Sequence, residues 1–346
     1  MSESPPFPGY INWHGARLQE RHGTRVWRLG LDAGFSCPHR SPDRTRGGCR
    51  FCASDGNLAA YQKGAPCLPS LEQQIARALL FTRLRYKASA FFLYFQAFSC
   101  TFAPLDRLKT IYDEAIATFS RLIDAPEHVL RDRASLIRSD SSAVPPGISP
   151  HLKGLVISTR PDCFNRDTAE LLASYQRKGL EIWIEFGLQT IHASSLWFIR
   201  REHGVETFIH AMNLAQDAGL HRAVHLILGI PGESRTMMLE TVALTASLNP
   251  EGIKLHDLKI VQGSAFARMF TTGELALLHP SRLPSLLADC LERLPPQTEI
   301  MRITSDFQPD ELLALYPAID KHKLARLVQQ ELEQRRSWQG KNFLGQ

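Results

Sequence analysis

The chain has 346 residues, 44% of them hydrophobic and 22% charged, with a formal charge of +5. That composition can bury a substantial core, in one large domain with extensions or in two domains. The mild positive charge permits contact with nucleic acid or an anionic ligand without arguing for it, no lysine- or arginine-rich block marks a nucleic-acid tail, and no apolar run reaches the roughly 18 residues needed to span a bilayer.

Met1–Tyr10 carries Ser, Glu and Pro and lacks the apolar centre of a signal peptide, so a cytoplasmic protein without membrane contact is expected. Its seven cysteines are then thiols, core fillers or metal ligands rather than disulfides. Residues 1–25 read as an N-terminal extension. Val26–Asp32 (VWRLGLD) reads as the first strand. Ser70, with Gln73 three residues on, opens a helix with a capping-box signature. Ala90–Gln96 (AFFLYFQ) is the second strand, and Pro104 sits at the start of the next helix. Asp124–His151 is rich in Ser, Pro and charge and reads as a long disordered insertion. Strands Gly154–Ser158, Glu181–Gly187, Ala223–Gly229 and Gly252–Leu258 follow. Between and after them lie helices Asp167–Lys178, Val205–Ala218, Ser234–Leu248 and Ser281–Leu294, each stopped by Gly or Pro.

Strand then helix, six times, predicts an α/β fold, either a partial (β/α) barrel or an open doubly wound sheet, over residues 26–294. Nearly continuous apolar strands suit a parallel sheet covered on both faces. Residues 295–346 form a C-terminal extension with a further candidate strand (EIMRIT) and a basic amphipathic helix, Lys321–Arg336. That helix either caps the barrel bottom or faces substrate.

In both folds the site lies at the C-terminal strand ends. Just past the first strand stand Cys37, Cys49 and Cys52, spaced C-x11-C-x2-C, with Gly47 and Gly48 letting the backbone wrap a bulky group. Thiolates suit an iron–sulfur cluster or zinc. A structural zinc site wants four protein ligands, the fourth here being His39 or a distant residue. Three cysteines leave one iron of a cubane open for chemistry. Cys67, Cys100, Cys163 and Cys290 are isolated and read as fillers, with a minor site role open for Cys100 and Cys163 because they follow strands.

Polar groups recur at the other strand ends. Gln96 heads the second strand, and Arg160 follows the third and offers a fork for a carboxylate or phosphate. Glu185 sits inside the apolar fourth strand, either accepting from ribose hydroxyls or closing a buried salt bridge. Gly229 to Glu233 (GIPGE) brings bare backbone to a flat ligand or is an ordinary turn. Lys254 and His256 share one face of the sixth strand.

Together GFSCPHR, GGCRFC, YFQAFSCTF, TRPDC, EFGLQT, RREH, HLILGIPGE, GIKLHDLKIVQGS and WQGK resemble the radical S-adenosylmethionine superfamily. More closely, they resemble the bacterial group related to the radical domain of the Elongator catalytic subunit. The resemblance implies a six-stranded partial TIM-type barrel and a [4Fe–4S] cluster on Cys37, Cys49 and Cys52. It implies S-adenosylmethionine on the fourth iron, cleaved to a 5′-deoxyadenosyl radical that takes hydrogen from substrate. It places the cofactor against Gln96, Arg160, Glu185, Gln189, Arg201, Gly229, Gly232 and Glu233. Lys254 and His256 are the candidates on the substrate side. A flavodoxin- or ferredoxin-type electron donor is expected, and RNA or a tRNA base is the first substrate considered, ahead of a peptide or small metabolite. The alternative function is a zinc-stabilised, non-catalytic nucleic-acid-binding protein.

Overall fold

The computed structural model describes residues 5–41, 43–52, 60–62, 68–135, 147–305, 311–313 and 319–345. Seven strands lie side by side in chain order: β1 (Val26–Leu31), β2 (Ala90–Phe95), β3 (Leu152–Thr159), β4 (Glu181–Gln189), β5 (His221–Leu228), β6 (Gly252–Asp257) and β7 (Glu299–Arg302). All six pairings are parallel. Parallel neighbours require crossover connections, and helices supply them on the outer face. The EIMRIT segment thus adds a seventh strand to the six expected.

The sheet is curled. In a flat sheet β2 and β6, four strands apart, would be separated by roughly 19 Å. Here Lys254 Nζ of β6 lies 3.0 Å from the Tyr94 hydroxyl of β2, across the interior. The outer core is a continuous apolar layer between sheet and helices, including Phe91, Phe95, Leu155, Ile184, Leu226 and Leu255. The alternate residues face inward. Phe92, Tyr94, Val156, Trp183 and Ala223 pack together at the lower end.

The helices follow their sequence signals. α1 is His14–His22, and its Leu18 plugs the lower end of the curl. α2 (Leu71–Tyr86) has the full capping box, Ser70 Oγ accepting from Gln73 N at 3.2 Å and Gln73 Oε1 from Ser70 N at 2.9 Å. α3 is Leu105–Leu122. The segment expected to be disordered holds a helix, α4 (Glu127–Ser135), that packs on α2 and buries Leu130. Ala134 packs beside it, Arg77 Nε donates to Ala134 O at 3.0 Å, and Arg133 lies 3.6 Å from Glu72 of α2. Residues 136–146 of that segment lie outside those described. α5 is Arg166–Gln176, α6 Ala193–Phe198, α7 Val205–Asp217, α8 Arg235–Ser247, α9 Ala265–Thr271, α10 Leu283–Arg293 and α11 Lys321–Gln334. The basic helix α11 lies on α10 through Leu324, Val328 and Leu332, and Arg335 just beyond it pairs with Asp289 at 2.7 Å. It is therefore an outer layer, with only Lys321 at its start reaching the central cavity. None of the described helices is long and apolar enough to cross a membrane.

The two chain ends are zipped together beneath the sheet. Ile300 N of β7 donates to Asn12 O at 2.8 Å, and Asn12 Nδ2 donates to Pro296 O and Gln297 O, both at 3.1 Å. Gln339, fully buried, accepts from Asn12 N at 2.9 Å and donates to Pro295 O at 3.0 Å and Thr298 O at 2.7 Å. A Cβ on Gly340 would lie 3.0 Å from Pro296 N, so glycine allows the close approach. The WQGK segment thus closes the barrel bottom. Gln339→Leu strands the buried Asn12 N and leaves Pro295 O and Thr298 O with one donor each, from Thr298 N and Asn12 Nδ2, and is expected to lower stability by about 1–3 kcal/mol. An unchanged urea midpoint would show that this zipper adds nothing.

Candidate active site

The loop after β1 is fastened before any ligand is considered. Asp32 N donates to Gln74 Oε1 at 2.8 Å, and Gln74 Nε2 returns to Asp32 O at 2.7 Å. The buried Asp32 carboxylate receives Arg44 at 3.0 and 2.8 Å. Gly48 N donates to His39 O at 2.9 Å. Gly47 and Gly48 have φ of 81° and 86°, and a Cβ on Gly47 would lie 2.3 Å from His39 O. Only glycine fits there without moving the backbone. Arg50 N donates to Ile199 O, and Phe266 N to Arg50 O, both at 3.1 Å, tying the cysteine pair to the β4 and β6 sides.

This loop delivers Cys37, Cys49 and Cys52 to one wall of a cavity of about 720 Å³ inside the barrel mouth. Cys37 Sγ lies 3.3 Å from Ser99 Oγ. Cys49 Sγ lies 3.5 Å from both His39 Nε2 and Arg201 Nη1. The Cys49 thiol is held well below its ordinary range by its hydrogen bond with Cys52, helped by Arg201. That same bond and burial push Cys52 up, and burial raises Cys37.

Arg201 is aimed by strained backbone. Arg200 and Glu202, its neighbours, have φ of 55° and 58°, the left-handed region that side-chain-bearing residues avoid. Arg201 Nε donates to Gly187 O at 3.2 Å. Gln189 has φ 77° at an irregularity in the β4–β5 pairing. Arg160 is buried and grips Asp162 with two bonds of 2.8 and 2.7 Å. Gln96, Arg160, Gln189 and Arg201 all line the cavity.

The floor is a layer of polar side chains, one from each of six strands. Glu185, fully buried on β4, stands at its centre. Its Oε1 accepts from Arg28 Nη1 (β1) at 3.0 Å. Its Oε2 meets the Tyr94 hydroxyl (β2) at 2.8 Å, Ser158 Oγ (β3) at 2.9 Å, His225 Nε2 (β5) at 3.1 Å and Lys254 Nζ (β6) at 2.5 Å. Burial alone would raise this carboxyl's pKa, but Lys254 and Arg28 outweigh it and hold it well below the ordinary value. Burial pushes Lys254 down to about 7, against the pull of Glu185. From the floor a chain of contacts runs downward. Arg28 Nη2 donates to His14 Nε2 at 2.9 Å, so a neutral His14 donates from Nδ1 to Glu299 Oε2 at 2.5 Å.

Residues 41–245 match the model of the radical SAM superfamily, and residues 250–334 match the radical SAM C-terminal domain. The chain belongs to the radical SAM superfamily. It is 29% identical to YtqA of Bacillus subtilis over 351 residues, covering 99% of this chain and 97% of that one. It is 31% identical to YhcC of Escherichia coli K12 over 304 residues, covering 88% and 86%. Human Elongator complex protein 3 matches at 28% over 161 residues, covering 44% of this chain and 28% of that protein. Among solved structures, Elp3 of the archaeon Methanocaldococcus infernus superposes with a TM-score of 0.62 at 17% identity, over 78% of this chain and 60% of that one. That likeness bears on the fold.

Radical SAM membership implies an iron–sulfur cluster and S-adenosylmethionine, and the residues present fit them. Three thiols converge on one cavity wall, two glycines clear the backbone, and Arg201 and His39 face Cys49 where thiolate charge needs balancing. The family match and the fold neighbours give the zinc alternative no support.

Other expectations are revised by position. Both Glu185 oxygens are taken by protein donors, which is the buried ion-pair arrangement rather than a free acceptor for ribose. Gly229, Gly232 and Glu233 do not line the cavity. Gly229 N faces Met238 Sδ at 3.1 Å, and Glu233 Oε1 accepts from the Thr190 hydroxyl at 2.6 Å. Cys100 is buried against Ala97 O, Cys290 is buried on α10, and Cys163 is half-buried outside the cavity lining. Cys67 lies outside the described residues. Sequence reasoning missed Arg28, Tyr94, Ser158 and His225. Each is a polar residue at an inward alternate position of its strand, a signal present once the sheet is known to curl.

His14 and His225 are both held near pKa 4 by burial, below the ordinary 6.5. Their neutral forms are favoured in the fold, so their contribution is full above pH 6.5 and is lost as pH falls toward 4. Stability is expected to drop by about 2 kcal/mol or more between pH 7 and pH 5. Equal urea midpoints at the two pH values would contradict this assignment.

Proposed function

We propose that the protein is a radical S-adenosylmethionine enzyme in which Cys37, Cys49 and Cys52 hold a [4Fe–4S] cluster. The carrying observation is the delivery of these three thiols, from one pinned loop, into the cavity that Arg160, Arg201 and the Glu185 floor complete. When bound and reduced, the cluster supplies the electron that cleaves S-adenosylmethionine and starts radical chemistry on substrate.

The chain's own residues position and shield. Arg201, fixed by Gly187 O and by strained flanking backbone, offers its remaining donors beside Cys49, where the carboxylate of S-adenosylmethionine can be met. Gln96 and Gln189 offer amide groups on the facing strand ends. Arg160, locked to Asp162, adds a fixed positive charge. The barrel walls exclude water, so that a reactive species meets only substrate. Lys254 and His256 stand on the substrate side, Lys254 through its grip on Glu185. An electron donor of flavodoxin or ferredoxin type is the partner this chemistry calls for.

RNA or a tRNA base is the substrate we favour. One relative is named tRNA uridine(34) acetyltransferase, from Methanocaldococcus jannaschii, 26% identical over 183 residues. The cavity lining supports an anionic partner. Among the described residues it carries nine arginines and lysines against three carboxylates.

The test is anaerobic reconstitution with iron and sulfide, reduction, and assay for 5′-deoxyadenosine. Cluster-dependent release is expected from the wild type. Cys49→Ala is expected to lose most of its iron and all release, because two thiolates hold a cubane poorly. Iron content equal to wild type in that variant, or a colourless wild type that releases nothing, would overturn the reading.

A further inference from the structure

The cavity's two ends are balanced differently. At the cysteine end, Arg160 and Arg201 face the thiols, and Arg160 is already neutralised by Asp162. At the floor, two cationic side chains, Arg28 and Lys254, meet one carboxylate, Glu185, and a third, Arg302, lines the same cavity. Arg28 and Lys254 are bonded to Glu185 at 3.0 and 2.5 Å. Arg302 is not. It stands on β7 opposite Lys254, half-buried and lining the cavity, with no hydrogen bond or ion pair among the described residues. Burial lowers the pKa values of His225, Lys254 and His256, and the charge of Arg302 adds to that lowering; at Tyr94, which burial raises, it acts in opposition. The rings of His225 and His256 lie 5.4 Å apart on the same side.

An uncompensated guanidinium among groups whose protonation it suppresses is an expensive arrangement in a partly buried cavity. An anion beside it removes the expense, and a guanidinium's planar fork matches a carboxylate or phosphate in two bonds. Asp257 does not serve. Its Oδ1 accepts from the Thr304 hydroxyl at 2.7 Å and from Ser305 N at 3.1 Å, and faces Lys259 at 3.9 Å.

We propose that the barrel floor holds an anion subsite for substrate, in which Arg302, with the His256 ring beside it, takes a carboxylate or phosphate group. The subsite rests on the reading of this cavity as the active site and adds the chemistry by which substrate is oriented. The anion anchors at the floor, and the rest of the substrate points up toward the cysteine wall. Lys254 and His225 act as positioning residues here, because they hold Glu185 and keep its carboxylate from turning to Arg302.

The reconstituted protein is titrated calorimetrically with inorganic phosphate and, separately, with acetate. Saturable binding of one is expected, and which one identifies the group as phosphate or carboxylate. Arg302→Gln is expected to weaken it at least about tenfold, and Arg302→Lys, which keeps the charge and loses the fork, by less. In the wild type, binding near neutral pH is expected to take up protons, because an adjacent anion raises the pKa values that Arg302 now depresses. This readout survives if either variant fails to fold. Failure of both anions to bind the wild type, or affinity in Arg302→Gln equal to wild type, overturns the subsite. So does loss of S-adenosylmethionine affinity in Arg302→Gln without any anion binding, which would assign Arg302 to the cofactor. Release of 5′-deoxyadenosine is read separately. Intact release without anion binding rejects the subsite alone, and anion binding without release rejects the enzyme reading.

Discussion

One buried carboxylate organises this protein. Glu185 gathers Arg28, Tyr94, Ser158, His225 and Lys254, so that five other strands of a parallel sheet each send a side chain to one point. A flat sheet cannot satisfy those contacts. Ionised in an apolar surround, Glu185 needs its donors, and Lys254 and Arg28 need Glu185. The curl of the sheet and the charge state of its floor are therefore the same constraint seen from two sides. His14 and Glu299 extend that constraint downward to α1 and β7, where the zipper of Asn12 and Gln339 closes the base.

The chemistry sits on top of that floor. Asp32, Arg44 and Gln74 pin the cysteine loop to the end of β1, and Arg50 ties it across to the β4 and β6 sides. Positive backbone angles at Arg200 and Glu202 place strain beside Arg201, while Gly47 and Gly48 take such angles freely beside the thiols. Rigid walls, a polar floor and a strained rim make a chamber with distinct ends, thiols at one and surplus cations at the other.

Much of this was legible in the residues. The strands read as apolar runs because both faces of the sheet are covered, and their starts and ends fall within a few residues of the observed ones. Ser70–Gln73 announced α2 because a capping box is local chemistry. The cysteine spacing drew attention to the loop because thiolates are soft metal ligands wherever they gather, and the fold brings all three thiols to one cavity wall. What was hidden depends on curvature. Arg28, Ser158 and His225 look like interruptions of apolar strands until the sheet closes around Glu185. For the same reason the sequence leaves Glu185 open between a ribose acceptor and a buried salt bridge, and only the curled sheet shows the donors that make it the second. The helix at Glu127–Ser135 was hidden differently, in a charged run that docks through Leu130, through Ala134 and its carbonyl, and through Arg133 beside Glu72. Gly229, Gly232 and Glu233 follow a strand end, as a ligand segment would, yet the turn carries them past the cavity wall.

A double-mutant cycle on Glu185→Gln and Lys254→Met, followed by urea unfolding of the purified protein, tests the central claim most directly. If Glu185 is the organising charge, Glu185→Gln destabilises by about 3–5 kcal/mol, because buried Lys254 and half-buried Arg28 lose their partner, and adding Lys254→Met returns part of that loss. If Glu185→Gln unfolds at the wild-type midpoint, and the two changes are additive, the floor is not held by this carboxylate and the account fails.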